Sequence, residues 1–209
     1  MISSSPEMRL RYSKAWKDCK AAVDQGERGE FDQALLTLQE VLEIFKEFQN
    51  DLHISHCYVA IGNVLFNKKQ YEEALVNYRK ALEIYREIHG ENHRSTCGCY
   101  ESIGNVLSDQ GRHDDAFIGY GKALAIRKKI FGENHLETAN SYFNIGVNQL
   151  QKGDYDGALI SLEKAKAIST RELGAEHPET AQTKICIDLC QQSMDPSKKK
   201  PFNCNDNPK

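Results

Sequence analysis

Two histidines four residues apart, with a glutamate between them, are the first candidates for chemistry in this sequence. His89 and His93 flank Glu91 in the segment HGENH, and zinc-binding helices use His pairs at this spacing. Gly90 favours a loop, however, and the two later copies of the segment lack the first His. We therefore expect no metal here. Hydrogen bonding within loops is assigned to the recurring histidines, which are His93, His135 and His177.

Cysteines and glycines offer two further motifs. Seven Cys are present, an odd number without the spacing of a disulfide framework, which indicates free and mostly buried thiols in a reducing compartment. Gly119-Tyr-Gly-Lys-Ala123 ends like a phosphate-binding loop but lacks the first Gly and the following Ser or Thr. No Ser-His-Asp set or pair of catalytic carboxylates is recognisable. The sequence therefore predicts a protein that is not an enzyme and that uses neither a metal nor a cofactor.

Composition and charge exclude several classes of partner. The chain has 209 residues, of which 40% are hydrophobic and 27% charged, with a net charge of −3. This balance gives no electrostatic attraction to nucleic acid or to an anionic membrane. No segment approaches the ~18 apolar residues of a membrane span, and the first residues lack the apolar run of a secretory signal. We expect a cytoplasmic protein that binds neither nucleic acid nor membrane.

A 42-residue internal repeat dominates the sequence. Gly62, Gly104 and Gly146 are separated by this step, and each stands in a similar segment that begins at a Tyr. An earlier, weaker copy, in which Ala22 corresponds to Gly62, is related by a step of 40 residues. Further matches are alanines, namely Ala74, Ala116 and Ala158, followed by Ala81, Ala123 and Ala165. Self-similarity at such a period indicates stacked supersecondary units.

Each unit is predicted to be two helices joined by a short polar break. Apolar residues recur at helical spacing on both segments, and the breaks are residues 67–70 and 109–112. Gly inside a helix costs about 1 kcal/mol relative to Ala, so Gly62 and its repeats indicate a close backbone approach. We expect the Ala at the start of the second helix to be the small partner. Gly90 should end the second helix in the left-handed conformation, and the hydroxyl of Thr96 should cap the next helix.

This pattern resembles the tetratricopeptide repeat. An aromatic residue, a Leu or Ile and a small residue on the first helix, followed by Ala, Tyr and Ala on the second, are similar to its consensus. The 42-residue unit and the loops GENHRST, GENHLET and GAEHPET resemble those of kinesin light chains. The Ile-Gly-Asn of residues 61–63 and 103–105 is similar to the Leu-Gly-Asn repeats of spindle-orientation adaptors. The resemblance implies an all-α fold, a right-handed α-α superhelix of helix hairpins.

The repeat defines the expected domain organisation. Residues 1–11 are an N-terminal extension, and residues 12–193 are the array. Asp188 takes the small-residue position in the last helix, which indicates the exposed end of a solenoid. A tail at residues 194–209 is expected to be disordered. Within the array we place four repeats and a C-terminal capping helix, at residues 15–52, 54–95, 96–137, 138–179 and 180–193.

The resemblance also implies where a partner binds, because in this family the first helices form the concave wall. The matching positions are Val59, Asn63, Phe66, Asn67, Glu101, Asn105, Asp109, Asn140, Phe143, Asn144, Val147 and Gln151. Asn both donates and accepts hydrogen bonds, which suits an extended peptide backbone. The alternative for Asn63 and Asn105 is that they cap helices or bridge repeats. Glu101 and Asp109 favour a neutral or basic peptide.

Taken together, these features predict a non-catalytic adaptor that binds a partner protein or peptide in the concave groove. The alternatives are a structural or self-associating scaffold and a regulatory subunit of a larger complex. The sequence leaves the partner, the pathway and the oligomeric state open.

Overall fold

Helices account for all the regular structure in residues 5–195, the part of the chain that the computed structural model describes. In chain order they are α1 (Pro6–Glu27), α2 (Phe31–Glu47), α3 (Asp51–Asn67), α4 (Tyr71–His89), α5 (Arg94–Asp109), α6 (His113–Phe131), α7 (Leu136–Lys152), α8 (Tyr155–Leu173) and α9 (Pro178–Met194). The predicted all-α class is confirmed. None of these helices combines the length and apolar character that crossing a bilayer requires.

Consecutive helices pair into hairpins. The pairs α1–α2, α3–α4 and α7–α8 pack along their lengths, and α9 packs against α8. Helix α1 begins at Pro6, inside the segment that the sequence analysis sets before the array, and α9 ends at Met194. The repeat limits drawn from the sequence stay predictions. Of the predicted tail, residues 196–209 lie outside the described part.

Two compact units divide the chain, residues 1–126 and residues 127–209, and the boundary falls inside α6. The largest fully buried side chains of the first unit include Phe45, Leu38 and Leu75. The second unit has its own apolar cluster, formed by α7, α8 and α9 around Leu162. Asp188 on α9 is exposed, as the sequence predicts. The described cysteines are free thiols, and all but Cys186 are buried.

The mid-helix glycines do not meet the partner that the sequence predicts. A Cβ added to Gly62 would lie 2.7 Å from the ring of Tyr78, and one added to Gly104 would lie 2.8 Å from the ring of Tyr120. At Gly146 the nearest atom is a side-chain carbon of Leu162, at 2.6 Å. The prediction that Gly meets Ala was therefore wrong at Gly62 and Gly104, whereas at Gly146 the carbonyl oxygen of Ala158 also lies 3.3 Å from the added Cβ. The space is taken by a large side chain one helical turn further along the second helix.

Histidines, and not threonines, cap the helices that follow the long loops. The Nδ1 atoms of His93, His135 and His177 accept hydrogen bonds from the backbone N–H groups two residues later, at 3.2, 3.1 and 3.3 Å. Thr96 instead donates its hydroxyl back to the Gly90 carbonyl at 2.9 Å, and Thr138 does the same to Gly132 at 2.7 Å. The threonine caps were wrong, whereas loop hydrogen bonding by the histidines is confirmed.

The glycine of each long loop adopts a conformation that only glycine populates readily. Gly90 has φ 82° and ψ 178°, and Gly174 has φ 95° and ψ 162°. The positive φ confirms that a glycine ends these helices in the left-handed region, and ψ lies near 180° where a left-handed helix would have about 45°. The next residue in two of these loops is a glutamate that accepts from a tyrosine. Tyr100 donates to Glu91 at 2.7 Å, and Tyr142 donates to Glu133 at 2.6 Å.

Candidate functional site

A cleft of about 310 Å³ opens in the first unit, between the helices that form the first half of each hairpin. Three of these helices, α1, α3 and α5, supply most of its lining, and α4 contributes one side chain. Its lining residues are Val23, Gly26, Glu27, Ala60, Asn63, Val64, Phe66, Asn67, Tyr78, Ser102 and Asn105. We call this feature the α1–α3–α5 cleft.

The structure brings part of the predicted groove together in this cleft. Asn63, Phe66, Asn67 and Asn105 line it. Val59 does not, because it packs against the buried cluster of Ala81, Tyr85 and Cys99. Of the two predicted acids on α5, half-buried Glu101 is outside the lining, and Asp109 lies at the end of the helix beside Tyr71.

Sequence reasoning missed the contribution of α1 and the tyrosine of α4. The signal for α1 was present, because the step of 40 residues that relates Ala22 to Gly62 also places Val23 at the position of Asn63 and Glu27 at that of Asn67. Tyr78 lies on a second helix, which the resemblance assigns to the outer wall. It reaches the cleft because Gly62 leaves room for its ring.

Two asparagine–tyrosine hydrogen bonds organise the polar groups of the cleft. The Tyr78 hydroxyl donates to Oδ1 of Asn63 at 2.7 Å, and the Tyr120 hydroxyl donates to Oδ1 of Asn105 at 2.8 Å. Each bond joins the two helices of one hairpin. In these bonds the asparagines neither cap a helix nor bridge two repeats, which are the two roles that the sequence left open. Burial raises the pKa of both tyrosines, so both hydroxyls keep the proton that they donate.

The outer hairpins replace this polar pair by an apolar one. At the repeat positions of Asn63 and Tyr78, the first hairpin has Val23 and Leu38, and the α7–α8 hairpin has Val147 and Leu162. Both members change together, as expected if the asparagine is present to accept from the tyrosine. The polar pairs therefore belong to the α3–α4 and α5–α6 hairpins, whose first helices line the cleft.

The charge of the cleft is acidic. Glu27 lies in its wall, and among the described residues that line it none is Lys or Arg. Asp109 and Glu101 add negative charge on α5, although both make interactions with neighbouring groups. The cleft therefore presents amide and hydroxyl groups, the aromatic ring of Phe66 and a negative field.

The second unit carries the remaining predicted groove residues on α7. Asn140 and Gln151 are exposed, and Asn144 and Val147 are half-buried. Phe143 is partly buried against the apolar cluster that α7 forms with α8 and α9. It therefore contributes to the packing of its own unit.

Histidines cluster in the first unit away from the cleft lining. His89 ends α4 and His93 caps α5, and their rings stack with centroids 4.0 Å apart. The intervening loop keeps them off a common helix, as the sequence predicts. Within residues 5–195, no group of three His, Cys, Asp or Glu side chains is placed to hold a metal ion.

Comparison with known proteins identifies the repeat. A family model described as tetratricopeptide repeat matches residues 54–118 and 99–171, which together span more than half of the chain. No curated protein sequence matches it. The predicted tetratricopeptide repeat is confirmed by this model, and solved structures with the same fold include TPR-like kinesin light chain repeats.

Three solved structures illustrate that fold. A putative kinesin light chain of Podosopora anserina with nearly identical TPR-like repeats is 17% identical, with a TM-score of 0.74 over 87% of both chains. Aspartyl phosphate phosphatase F from Bacillus subtilis is 19% identical, with a TM-score of 0.76 over 86% of this chain and 46% of that one. A Rap protein complexed with competence and sporulation factor is 18% identical, with a TM-score of 0.67 over 89% of this chain and 52% of that one.

Proposed function

Because the chain belongs to the tetratricopeptide repeat family, we propose that it is a non-catalytic cytoplasmic adaptor that holds an extended segment of a partner protein in the α1–α3–α5 cleft. The observation that carries this proposal is the orientation of Asn63 and Asn105, whose amide oxygens are bonded to buried tyrosines. The complex of the structurally similar Rap protein with competence and sporulation factor supports it as a precedent within the fold.

The tyrosines determine which atoms the asparagines offer to a partner. An asparagine side chain has one acceptor oxygen and an amide with two N–H donors. Since Tyr78 and Tyr120 donate to the oxygens, the N–H donors are left over, and in the described part of the chain they have no partner. The main-chain carbonyls of an extended peptide are acceptors of the matching kind.

Preorganisation strengthens this recognition. The rings of Tyr78 and Tyr120 are buried against Gly62 and Gly104, so the hydroxyls that orient the amides are themselves fixed. A partner segment therefore loses less free energy to ordering the site when it binds. The aromatic ring of Phe66 in the same wall offers an apolar contact to its side chains.

Charge selects the class of segment. The lining contains Glu27 and, among its described residues, no Lys or Arg, so an acidic peptide would be repelled and a neutral or basic one favoured. On α7 of the second unit, Asn140, Asn144, Val147 and Gln151 stay proposed contact residues. Phe143 is secondary to them because it packs against the apolar cluster of its own unit.

Two other functions are compatible with the same fold. A regulatory subunit would use the same cleft, and it would differ from an adaptor only in the activity of the partner that it binds. A phosphatase activity is suggested by the name of one structural neighbour, but this chain covers only 46% of that protein, at 19% identity. This likeness shows the fold alone, so it gives no support for a phosphatase activity of this chain.

A peptide selection tests the proposal. A random peptide library displayed on phage is enriched on the immobilised full chain, and the enriched peptides are titrated by fluorescence anisotropy. We expect neutral or basic peptides, and we expect Asn63→Ala/Asn105→Ala to weaken them about tenfold. Two lost hydrogen bonds of about 0.5–1.5 kcal/mol each account for a factor of this size.

The matched control is Asn92→Ala, because Asn92 is exposed in the loop between α4 and α5. This variant should bind like the unmodified chain. Circular dichroism verifies that both variants keep their helices. Equal affinity of the double variant, or enrichment of acidic peptides, would contradict the assignment of the cleft.

A further inference from the structure

An exposed aliphatic residue occupies the same position on each second helix. It follows the first alanine of that helix by two residues, where the side chain points to solvent. The exposed fractions are 53% for Leu36, 48% for Val76, 59% for Ile118 and 63% for Ile160. A single exposed aliphatic side chain is ordinary, but packing within the hairpins does not explain four at one register. We call Leu36, Val76 and Ile118, the three in the first unit, the aliphatic row.

Polar contacts align the helices that carry the aliphatic row. Lys68, in the turn before α4, pairs with Asp32 in the first turn of α2 at 2.5 Å. Gln110, in the turn before α6, donates to Glu72 in the first turn of α4 at 2.9 Å. The same contact, repeated one hairpin later, places the beginnings of α2, α4 and α6 side by side. The aliphatic row therefore lies across three neighbouring helices, one turn in from their beginnings.

Opposite charges lie on the two sides of the aliphatic row. On α4, Glu73 lies three residues before Val76 and Arg79 lies three residues after it, about 4.5 Å along the axis in each direction. Both are exposed, and neither side-chain charge has a partner in the described part of the chain. On α6 the charged residues near Ile118 are already engaged, since Asp115 pairs with Arg112 at 2.7 Å and Lys122 lies over the ring of Tyr100. The charge pattern of this surface therefore belongs to α4.

This order of acid, apolar residue and base makes the surface complementary to itself. When two copies meet antiparallel, the apolar residue of one faces that of the other, and each acid faces a base. A two-fold axis generates this arrangement, in which one patch serves both partners. We propose that the exposed face of α4 and α6 is a self-association surface, on which a second copy of this chain docks antiparallel with Val76 and Ile118 at its centre.

Sedimentation velocity of the full chain between about 1 and 300 μM tests this surface. We expect a concentration-dependent dimer, and we expect Val76→Glu/Ile118→Glu to sediment as a monomer because it places buried charge at the centre. Ile185→Glu is the control, since Ile185 is similarly exposed but belongs to α9, which is not one of the two helices that form this surface. It should dimerise like the unmodified chain. An unmodified chain that stays monomeric throughout would overturn the proposal and leave the face to a different partner.

A charge exchange tests the antiparallel geometry. Glu73→Arg and Arg79→Glu should each raise the dimer Kd at least tenfold, because like charges then meet at both ends of the contact. An equimolar mixture of the two single variants should recover dimerisation as a heterodimer, and Glu73→Arg/Arg79→Glu should recover it by itself. A mixture that associates no better than the single variants, or single variants that dimerise normally, would overturn the proposal.

Discussion

Lys69 is a residue whose backbone conformation favours replacement. It follows α3 with φ 61°, in the position where the equivalent turns have Gly29, Gly111 and Gly153. Its N–H bonds to the Phe66 carbonyl at 2.8 Å, which is part of the hydrogen-bonded closure of the helix end. A side chain at this φ costs about 1–2 kcal/mol, and glycine's greater freedom in the unfolded chain offsets about half of it.

We therefore expect Lys69→Gly to stabilise the first unit by about 0.5–1 kcal/mol, as the difference between these two terms. The reciprocal change, Gly111→Lys, should destabilise it by a similar amount, because φ is 74° at that position. Urea unfolding monitored by circular dichroism measures both. A loss of stability in Lys69→Gly would show that the lysine makes a contribution which outweighs its backbone strain.

At the scale of the helix, α5 contains two glycines with opposite roles. An added Cβ would meet nothing within 4 Å at Gly98, whereas at Gly104 it would lie 2.8 Å from the Tyr120 ring. Gly98→Ala should raise stability by up to about 1 kcal/mol through helix propensity alone. Gly104→Ala should lower it by about 1–3 kcal/mol, because the ring must move and its bond to Asn105 is strained.

The two alanine variants are compared by their urea midpoints at a fixed protein concentration. They place the same substitution in the same helix, so propensity cancels in the comparison. Equal stability of the two would mean that the hairpin opens without penalty. Tyr120→Phe separates the contribution of the hydrogen bond from that of packing, because it keeps the ring over Gly104 and removes only the hydroxyl.

The helices themselves could be predicted because their signals are local. Apolar spacing, polar breaks and the period of the glycines place each hairpin without knowledge of its neighbours. What fills the space at Gly62 could not be predicted from this pattern, since a glycine indicates a close approach but not the atom that approaches. Tyr78 also has the periodicity of a core residue, which concealed its second role in orienting Asn63.

The candidate site could be predicted only for residues whose position in the repeat determines where they lie. Register placed Asn63 and Asn105 in the cleft, and the same register would have placed Val23 and Glu27 there. Register failed for Val59, because whether a half-exposed side chain turns toward solvent or toward its neighbour depends on packing between helices. The histidine caps were predicted only as loop hydrogen bonds, since the acceptor atom depends on the backbone path.

At the scale of the molecule, stability of the first unit should depend on a row of four histidines. His53 and His56 on α3 lie near His89 and His93, with Tyr85 between the two pairs. Ring centroids are 6.0 Å apart from His53 to His56, 6.0 Å from His56 to Tyr85, 6.2 Å from Tyr85 to His89 and 4.0 Å from His89 to His93. Nδ1 of His56 is buried without a hydrogen-bond partner.

Burial lowers the pKa of His53, His56 and His93 below the ordinary value of 6.5, and the neighbouring histidines lower it further. The unfolded chain therefore binds protons more readily than the folded one. This contribution to stability is fully present above about pH 6.5 and is lost as pH falls through and below that value. Protonation would place positive charges beside one another in the row, with Trp16 packed against it.

We expect the thermal unfolding midpoint to fall between pH 7.5 and pH 5.5, and we expect His56→Gln to show a smaller fall. Glutamine keeps a polar side chain of similar length but does not titrate, so only the proton linkage is removed. His113→Gln, which changes a histidine outside the row, should keep the full fall. Because the row belongs to residues 53–93, the loss should also appear first as faster hydrogen exchange in α3 and α4. An identical fall in His56→Gln would place the pH dependence in other groups.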